Sequence, residues 1–236
     1  IITGGTGNDI ITGGAGNDII AGGAGLDTLE GGSGNDTFNV DAAYDTITDL
    51  GGESGTDSDI VVVTNVAILN ATEIISFTAT SGTSNAGTAT FNLKSGGSRT
   101  LDLSAATGAG SYFLKGDSGN DSITGTAGAD TISSGAGTDI ITIGTAGHGN
   151  SDTVDGGGGA DVLQLSSGTH TFGTDNKLLA VETVKTDSSG STVVLTGQTE
   201  NLTITGGAGA DIITGGNAID TITGGAGNDI ITGGTG

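Results

Sequence analysis

Residues 4–39 read GGTGNDIIT, GGAGNDIIA, GGAGLDTLE and GGSGNDTFN, one nine-residue phrase written four times, which sets Asp9, Asp18, Asp27 and Asp36 nine apart. The phrase returns at 116–142 as GDSGNDSIT, GTAGADTIS and SGAGTDIIT, with Asp121, Asp130 and Asp139 in phase. Four extra residues around His148 delay Asp152, and GGGGADVLQ restores the spacing at Asp161. A third block, GGAGADIIT, GGNAIDTIT and GGAGNDIIT, carries Asp211, Asp220 and Asp229. A period this short and regular belongs to a stacked array in which each unit touches only its neighbours.

The glycines allow a six-residue turn through backbone conformations that a Cβ forbids. Three residues then read as a short strand, with an apolar eighth position: Ile11, Ile20, Leu29, Phe38, Ile123, Ile132, Ile141, Val154, Leu163, Ile213, Ile222 and Ile231. Strand side chains alternate between faces, so this position points inward while its neighbours point outward. Two strands and two turns make a flattened coil, and coils stack at about 4.8 Å. The expected fold is all-β, a parallel β-roll or β-solenoid interrupted by irregular β-solenoid segments.

Composition agrees. The chain of 236 residues holds 49 Gly and no Pro, Cys, Met or Trp, and sets 27 acidic against 5 basic residues for a net charge of −22. Such a charge repels nucleic acid and anionic membranes. Disulfides and thiolate-bound metals are excluded, and no apolar run approaches the ~20 residues of a membrane-inserted span.

Stacking brings turn carboxylates within a few ångströms of one another, with turn carbonyls between them. An oxygen-only cage of this kind suits Ca²⁺, which takes 6–8 oxygens, better than Mg²⁺, which demands a tighter octahedron. Asp is also a common turn and cap residue. One such loop leaves both readings open; twelve in phase favour calcium, with several ions per chain.

The motif GGxGxDxUx resembles the RTX nonapeptide repeat of secreted bacterial proteins. The resemblance implies a calcium-loaded β-roll, export in the unfolded state through type I machinery, and folding on extracellular calcium. It implies side-chain ligands at Asp9, Asp18, Asp27, Asp36, Asp121, Asp130, Asp139, Asp152, Asp161, Asp211, Asp220 and Asp229. It also implies carbonyl ligands in the turns, at Gly4, Gly5, Thr6 and Gly7; Gly13, Gly14, Ala15 and Gly16; Gly22, Gly23, Ala24 and Gly25; Gly31, Gly32, Ser33 and Gly34; and Gly206, Ala208, Gly224 and Ala226. Leu26, Ala160, Ala210 and Ile219 depart from the polar fifth position, and Ala218 replaces a turn glycine.

The stretch 37–63 resembles the degenerate coils that follow such blocks, which offers Asp45, Asp57 and Asp59 as further ligands, with solvated turn acids as the alternative reading. The plan reads as a repeat block with a degenerate tail (1–63), an irregular β segment (64–115), a repeat block (116–165), a second irregular segment (166–202) and a last block (203–236). These segments are expected to form one continuous solenoid, with a separate β-sandwich for 64–115 as the competing layout. The phrases ATEIIS around Glu73 and AVETVK around Glu182 suggest one structural role used twice. The chain enters at position seven of a repeat and stops at position four, which predicts an excerpt of a longer protein.

No catalytic residues are expected. The phrase Gly116-Asp117-Ser118-Gly119 imitates a serine-nucleophile motif but lies in phase as turn positions one to four, without a triad. His148 and His170 lack metalloprotease spacing, and His148 reads as a surface tip. The basic residues Lys94, Arg99, Lys115, Lys177 and Lys185 read as solvated charge, with acidic neighbours or a cell-surface polysaccharide as other partners they would suit. Ile212 and Ile230, outward and 18 apart, suggest a stripe for self-association, although Ile also favours strands for its own sake. The expected function is a non-enzymatic calcium-binding structural module of a secreted bacterial surface protein, closest to S-layer proteins that carry such repeats. The alternatives are an RTX adhesin stalk and the calcium-binding C-terminal accessory domain of a secreted protease, lipase or alginate epimerase.

Overall fold

A nine-residue unit of turn and strand cannot satisfy its own backbone groups, so its N–H and C=O partners must come from neighbouring coils. The computed structural model describes residues 1–41, 44–51, 57–144 and 152–236. The insertion around His148 lies outside the described residues. Among them there is no α-helix, and a single 3₁₀ turn spans Asp175–Lys177. The chain forms two units, Ile1–Asp117 and Ser118–Gly236.

In the first unit one face is built from Ile2–Thr6, Ile19–Ala24, Thr37–Val40, Ile60–Val63 and Ser84–Asn85, paired parallel in that order. The opposite face stacks Ile10–Ala15, Thr28–Ser33, Tyr44–Ile47, Ile68–Ile74, Thr88–Leu93 and Ser111–Lys115, again all parallel. Ile11 stands opposite Leu29, an 18-residue coil. Beyond the repeats the coil lengthens, with Tyr44 opposite Ile68, Ile68 opposite Thr88 and Thr88 opposite Ser111. Strands in the first block are longer than three residues: Ile10–Ala15 and Ile19–Ala24 run on into the following turn. Identical turns stacked in register pair their own backbones, as Gly5 does with Gly23. Gly23 has φ +95°, and a Cβ there would collide with the Gly5 carbonyl oxygen.

In the second unit Ser122–Thr124, Ile140–Ile143, Val162–Leu165, Thr183–Thr186, Thr203–Thr205 and Thr221–Thr223 form one parallel series. Thr169–Thr171, Thr192–Val194, Ile212–Thr214 and Ile230–Thr232 form another. Asp130–Ser133, Thr153–Asp155 and Leu178–Leu179 form a third. Each unit is thus a parallel β-solenoid.

The eighth position fills the seam. Ile20, Leu29, Phe38, Ile123, Ile141, Val154, Leu163 and Ile213 are fully buried, whereas Ile222 is half-buried and Ile231 exposed. Burying each such side chain contributes about 1.5–3 kcal/mol. The seam thickens in 64–115, where Phe77 stacks on Phe91 at 6.0 Å and Phe91 on Tyr112 at 6.3 Å. Tyr112 is buried and its hydroxyl donates to the Thr107 carbonyl, so it offers no surface for sugar stacking.

Candidate metal centre

The strands end at the turns, and each turn delivers its sixth residue to the same height on the edge of the coil. The result is a ladder of carboxylates joined by backbone. Asp9 N–H donates to Asp27 Oδ1 at 2.9 Å, and Asp27 N–H to Asp45 Oδ1 at 3.1 Å. On the other edge Asp18 N–H donates to Asp36 and Asp36 N–H to Asp59, each at 2.8 Å. The second unit repeats the pattern from Asp121 to Asp139, Asp139 to Asp161, Asp130 to Asp152 and Asp211 to Asp229, at 2.7–3.0 Å. One oxygen of each receiving carboxylate therefore caps the coil before it.

The other oxygen is what points to a ligand. Oδ2 of Asp9, Asp27, Asp36, Asp45, Asp139, Asp152 and Asp161 is buried with no hydrogen-bond partner. An unpartnered buried polar atom costs about 1–3 kcal/mol, more when charged, and seven in one structure call for a common cause. Those of Asp9, Asp27, Asp36 and Asp161 point at the position-one glycine of their own turn, Gly4, Gly22, Gly31 and Gly156. A Cβ on Gly13 would stand 2.6 Å from Gly31 O and 2.9 Å from Asp18 Oδ2, and one on Gly4 would stand 2.5 Å from both Gly22 O and Asp9 Oδ2. At these positions a side chain would occupy the cradle; in the 134–142 copy position one is Ser134, fully buried, whose hydroxyl donates to the Gly156 carbonyl at 2.8 Å.

Backbone oxygens border the gaps between turns. The carbonyls of Gly5 and Gly7 face Gly23 and Gly25 of the next turn, and those of Gly14 and Gly16 face Gly32 and Gly34. From the other side come position-one carbonyls such as Gly22 and Gly31. The position-three carbonyls of Ala24 and Ser33 accept the N–H of Gly7 and Gly16. Among the described residues no three Asp, Glu or His side chains converge on one point, so a bound cation must draw on these carbonyls. An all-oxygen set of carboxylates and carbonyls fits Ca²⁺.

Three turns are arranged differently. Asp130 Oδ2 accepts the Thr126 N–H at 2.7 Å and the Thr126 hydroxyl, Asp211 Oδ2 accepts Gly207 N–H at 3.0 Å, and Asp220 Oδ2 accepts Gly216 N–H at 2.8 Å. Their carboxylates are satisfied within the turn. In the degenerate tail Asp59 Oδ2 accepts Gly51 N–H, and Asp57 Oδ2 accepts Gly34 N–H at 3.3 Å.

Burial sets the electrostatics. It raises Asp36 and Asp161 above the usual carboxylate range, with neighbouring carboxylates adding to the effect. Asp45 and Asp59 are pushed up to about 6, by burial first and then by nearby acids. Asp152 reaches about 6 through burial, opposed by the Lys177 charge. A cation bound beside such a carboxyl would favour its ionised form.

Two acidic residues outside the phase join the ladders. Asp49 accepts Gly31 N–H at 3.0 Å and Gly32 N–H at 2.6 Å, and Glu182 accepts Asp161 N–H at 2.7 Å. The shared role expected of Glu73 and Glu182 does not hold. Glu73 instead reaches Lys94 in an exposed ion pair of 3.4 Å. Asn at position five ties the turns together in a second way, since Oδ1 of Asn8, Asn17, Asn35 and Asn120 accepts the position-five N–H of the next coil. His170 is buried with Nε2 2.8 Å from Ser166 O. Ser118 bridges to Ala136 in the stacked turns, as its place in the repeat requires. Ile212 and Ile230 stand side by side, 44% and 62% exposed.

A parallel solenoid edged with stacked carboxylate turns is a cation-clamped β-roll. The profile of the RTX calcium-binding nonapeptide repeat (4 copies) matches residues 1–29, 16–47, 30–58, 108–142, 146–169 and 203–236. The chain belongs to that family, and is a calcium-binding repeat module of the kind found in secreted bacterial proteins. A comparison with curated proteins gives no match. Among the described residues no helix is long and apolar enough to cross a membrane.

Proposed function

We propose that this module is a structural, non-enzymatic part of a bacterial surface coat, an S-layer-like lattice that folds and assembles on extracellular calcium. The observation that carries the calcium mechanism is the set of seven turn aspartates whose Oδ2 is buried without a partner. Calcium supplies charge neutralisation there, and the chain supplies the rest. Asp9, Asp27, Asp36, Asp45, Asp139 and Asp152 would hold ions, with carbonyls such as Gly5, Gly7, Gly22, Gly14, Gly16 and Gly31 completing the shells. A site at about 100 times its Kd in free calcium stabilises the fold by about 2.7 kcal/mol. Several sites offset the self-repulsion of a chain at −22.

Support for a coat comes from the plan of the chain. Thr- and Ser-rich coils alternate with repeat blocks, and the paired, exposed Ile212 and Ile230 give copies of the chain an apolar stripe to share. Electron microscopy with calcium and with EGTA tests the reading. Ordered sheets or filaments that dissolve in chelator are expected; monodisperse particles in both conditions would refute the lattice and leave a calcium-stabilised spacer.

A further inference from the structure

The ladder that runs through Asp121, Asp139 and Asp161 continues onto a residue outside the repeats. Asp161 N–H donates to Glu182 Oε2 at 2.7 Å, as Asp121 and Asp139 N–H donate to the next aspartate at 2.7 and 2.8 Å. Glu182 lies outside the segments that match the family profile. Its turn is contracted. Only Ala180, Val181 and Glu182 separate the strands Leu178–Leu179 and Thr183–Thr186, where a repeat would use six residues. The extra methylene of Glu spans the distance that an Asp covers from a longer loop.

The gap above Asp161 is also equipped like a repeat gap. A Cβ on Gly156 would fall against Ala180 O and 2.7 Å from Asp161 Oδ2. In the repeats the same place is bordered by a position-one carbonyl and the aspartate Oδ2, as at Gly4 and Gly13. Ala180 holds φ +49°, a left-handed conformation that a non-glycine residue keeps only where the surroundings demand it. Asp161 is fully buried and its Oδ2 has no partner. The hydrogen bond to Glu182 accounts for one glutamate oxygen and leaves that aspartate oxygen unexplained.

We propose that Asp161, Glu182 and the Ala180 carbonyl form an additional calcium site, outside the nonapeptide motif, where the middle repeat block passes into the segment 166–202. The proposal rests on the calcium reading of the repeat turns and adds one ion to it. The remaining ligands of an ion that takes 6–8 oxygens would come from water and turn carbonyls.

Calorimetric calcium titration of the purified chain tests it, with terbium luminescence as a second readout. Glu182→Gln keeps an acceptor for the Asp161 N–H and removes the charge. It is expected to bind one ion fewer, or one ion at least tenfold more weakly, with an unchanged β spectrum in EGTA. Glu73→Gln, altered at the other glutamate of the paired phrases, is expected to titrate like the parent. A Glu182→Gln curve that superimposes on the parent curve overturns the additional site alone. A parent chain that takes up no calcium overturns the reading beneath it. Should Glu182→Gln fail to fold, Glu182→Asp, with its charge withdrawn by one methylene, must show the same loss of one site.

Discussion

Asp36→Asn separates a metal clamp from a polar cap. Asp36 is 1% exposed, its Oδ1 accepts the Asp18 N–H, and its Oδ2 is buried without a partner. Asn keeps the Oδ1 acceptor and removes the charge from the second position. In EGTA this relieves an uncompensated buried group worth about 1–3 kcal/mol. At about 2–4 °C per kcal/mol for a chain of this size, the metal-free variant should melt roughly 2–12 °C above the parent. In saturating calcium the site loses a formal charge, and the gain from calcium should shrink by about 2.7 kcal/mol for each site lost. Thermal melts by circular dichroism, parent against variant in both buffers, read the two effects directly. The variant should therefore be stabilised without calcium and respond less to calcium. An equal fall in melting temperature in both buffers would show that Asp36 serves only as a cap, and the clamp argument would fail.

The raised carboxylates make stability depend on pH with opposite signs in the two buffers. Asp45, Asp59 and Asp152 titrate near 6 in the fold and near 3.9 unfolded, so they stabilise the metal-free fold fully below the lower value and cease to as pH rises through about 6. Melts in EGTA should be higher at pH 5 than at pH 7.5, whereas calcium, which must displace those protons, should reverse the order. Gly157→Ala should cost about 2–5 kcal/mol, since φ is +83° and a Cβ would strike Gly135 O, combining left-handed strain with overpacking. Gly158→Ala, with nothing within 4 Å of its Cβ, should stay within about 1 kcal/mol of the parent in the same urea titration. Asp220→Asn should destabilise by about 1 kcal/mol equally with and without calcium, because the Asp220 Oδ2 is already held by Gly216 N–H; a larger loss in calcium would place an ion there.

Much of the fold and the ladder could be read from residues because the demands at three positions are local. Position one faces a carboxylate and a carbonyl, position six supplies that carboxylate, and position eight enters the seam, so Gly, Asp and Ile or Leu recur wherever coils of 18 residues stack. Glu182 escaped that reading because its turn has three residues instead of six, which removes it from the nine-residue phase while leaving it at the same height on the edge. Glu73 shares its local phrase but has φ +59° and reaches Lys94, since the coil around 64–115 is wider and presents no carboxylate gap to it.

The state of each turn was hidden for a deeper reason. GGAGAD at 206–211 reads like GGAGND at 13–18, yet Asp211 bonds its own Gly207 N–H while the Asp18 turn holds Gly14 and Gly16 at positive φ. The difference lies one coil away. The 206–211 turn rests on Asp187–Ser191, where a Cβ on Gly207 would meet Asp187 O, and the 215–220 turn rests likewise on Gln198. Each follows the shape of a non-repeat neighbour and closes on its own carboxylate. The next turn, 224–229, stacks on a GGxGxD turn and recovers positive φ at Gly225 and Gly227. In an array stabilised by nearest-neighbour contacts, calcium capacity is therefore a property of adjacent pairs of turns. The turns at Asp211 and Asp220 differ from the other repeat turns through their neighbours, and the contracted turn 180–182 presents its acid to an open neighbour.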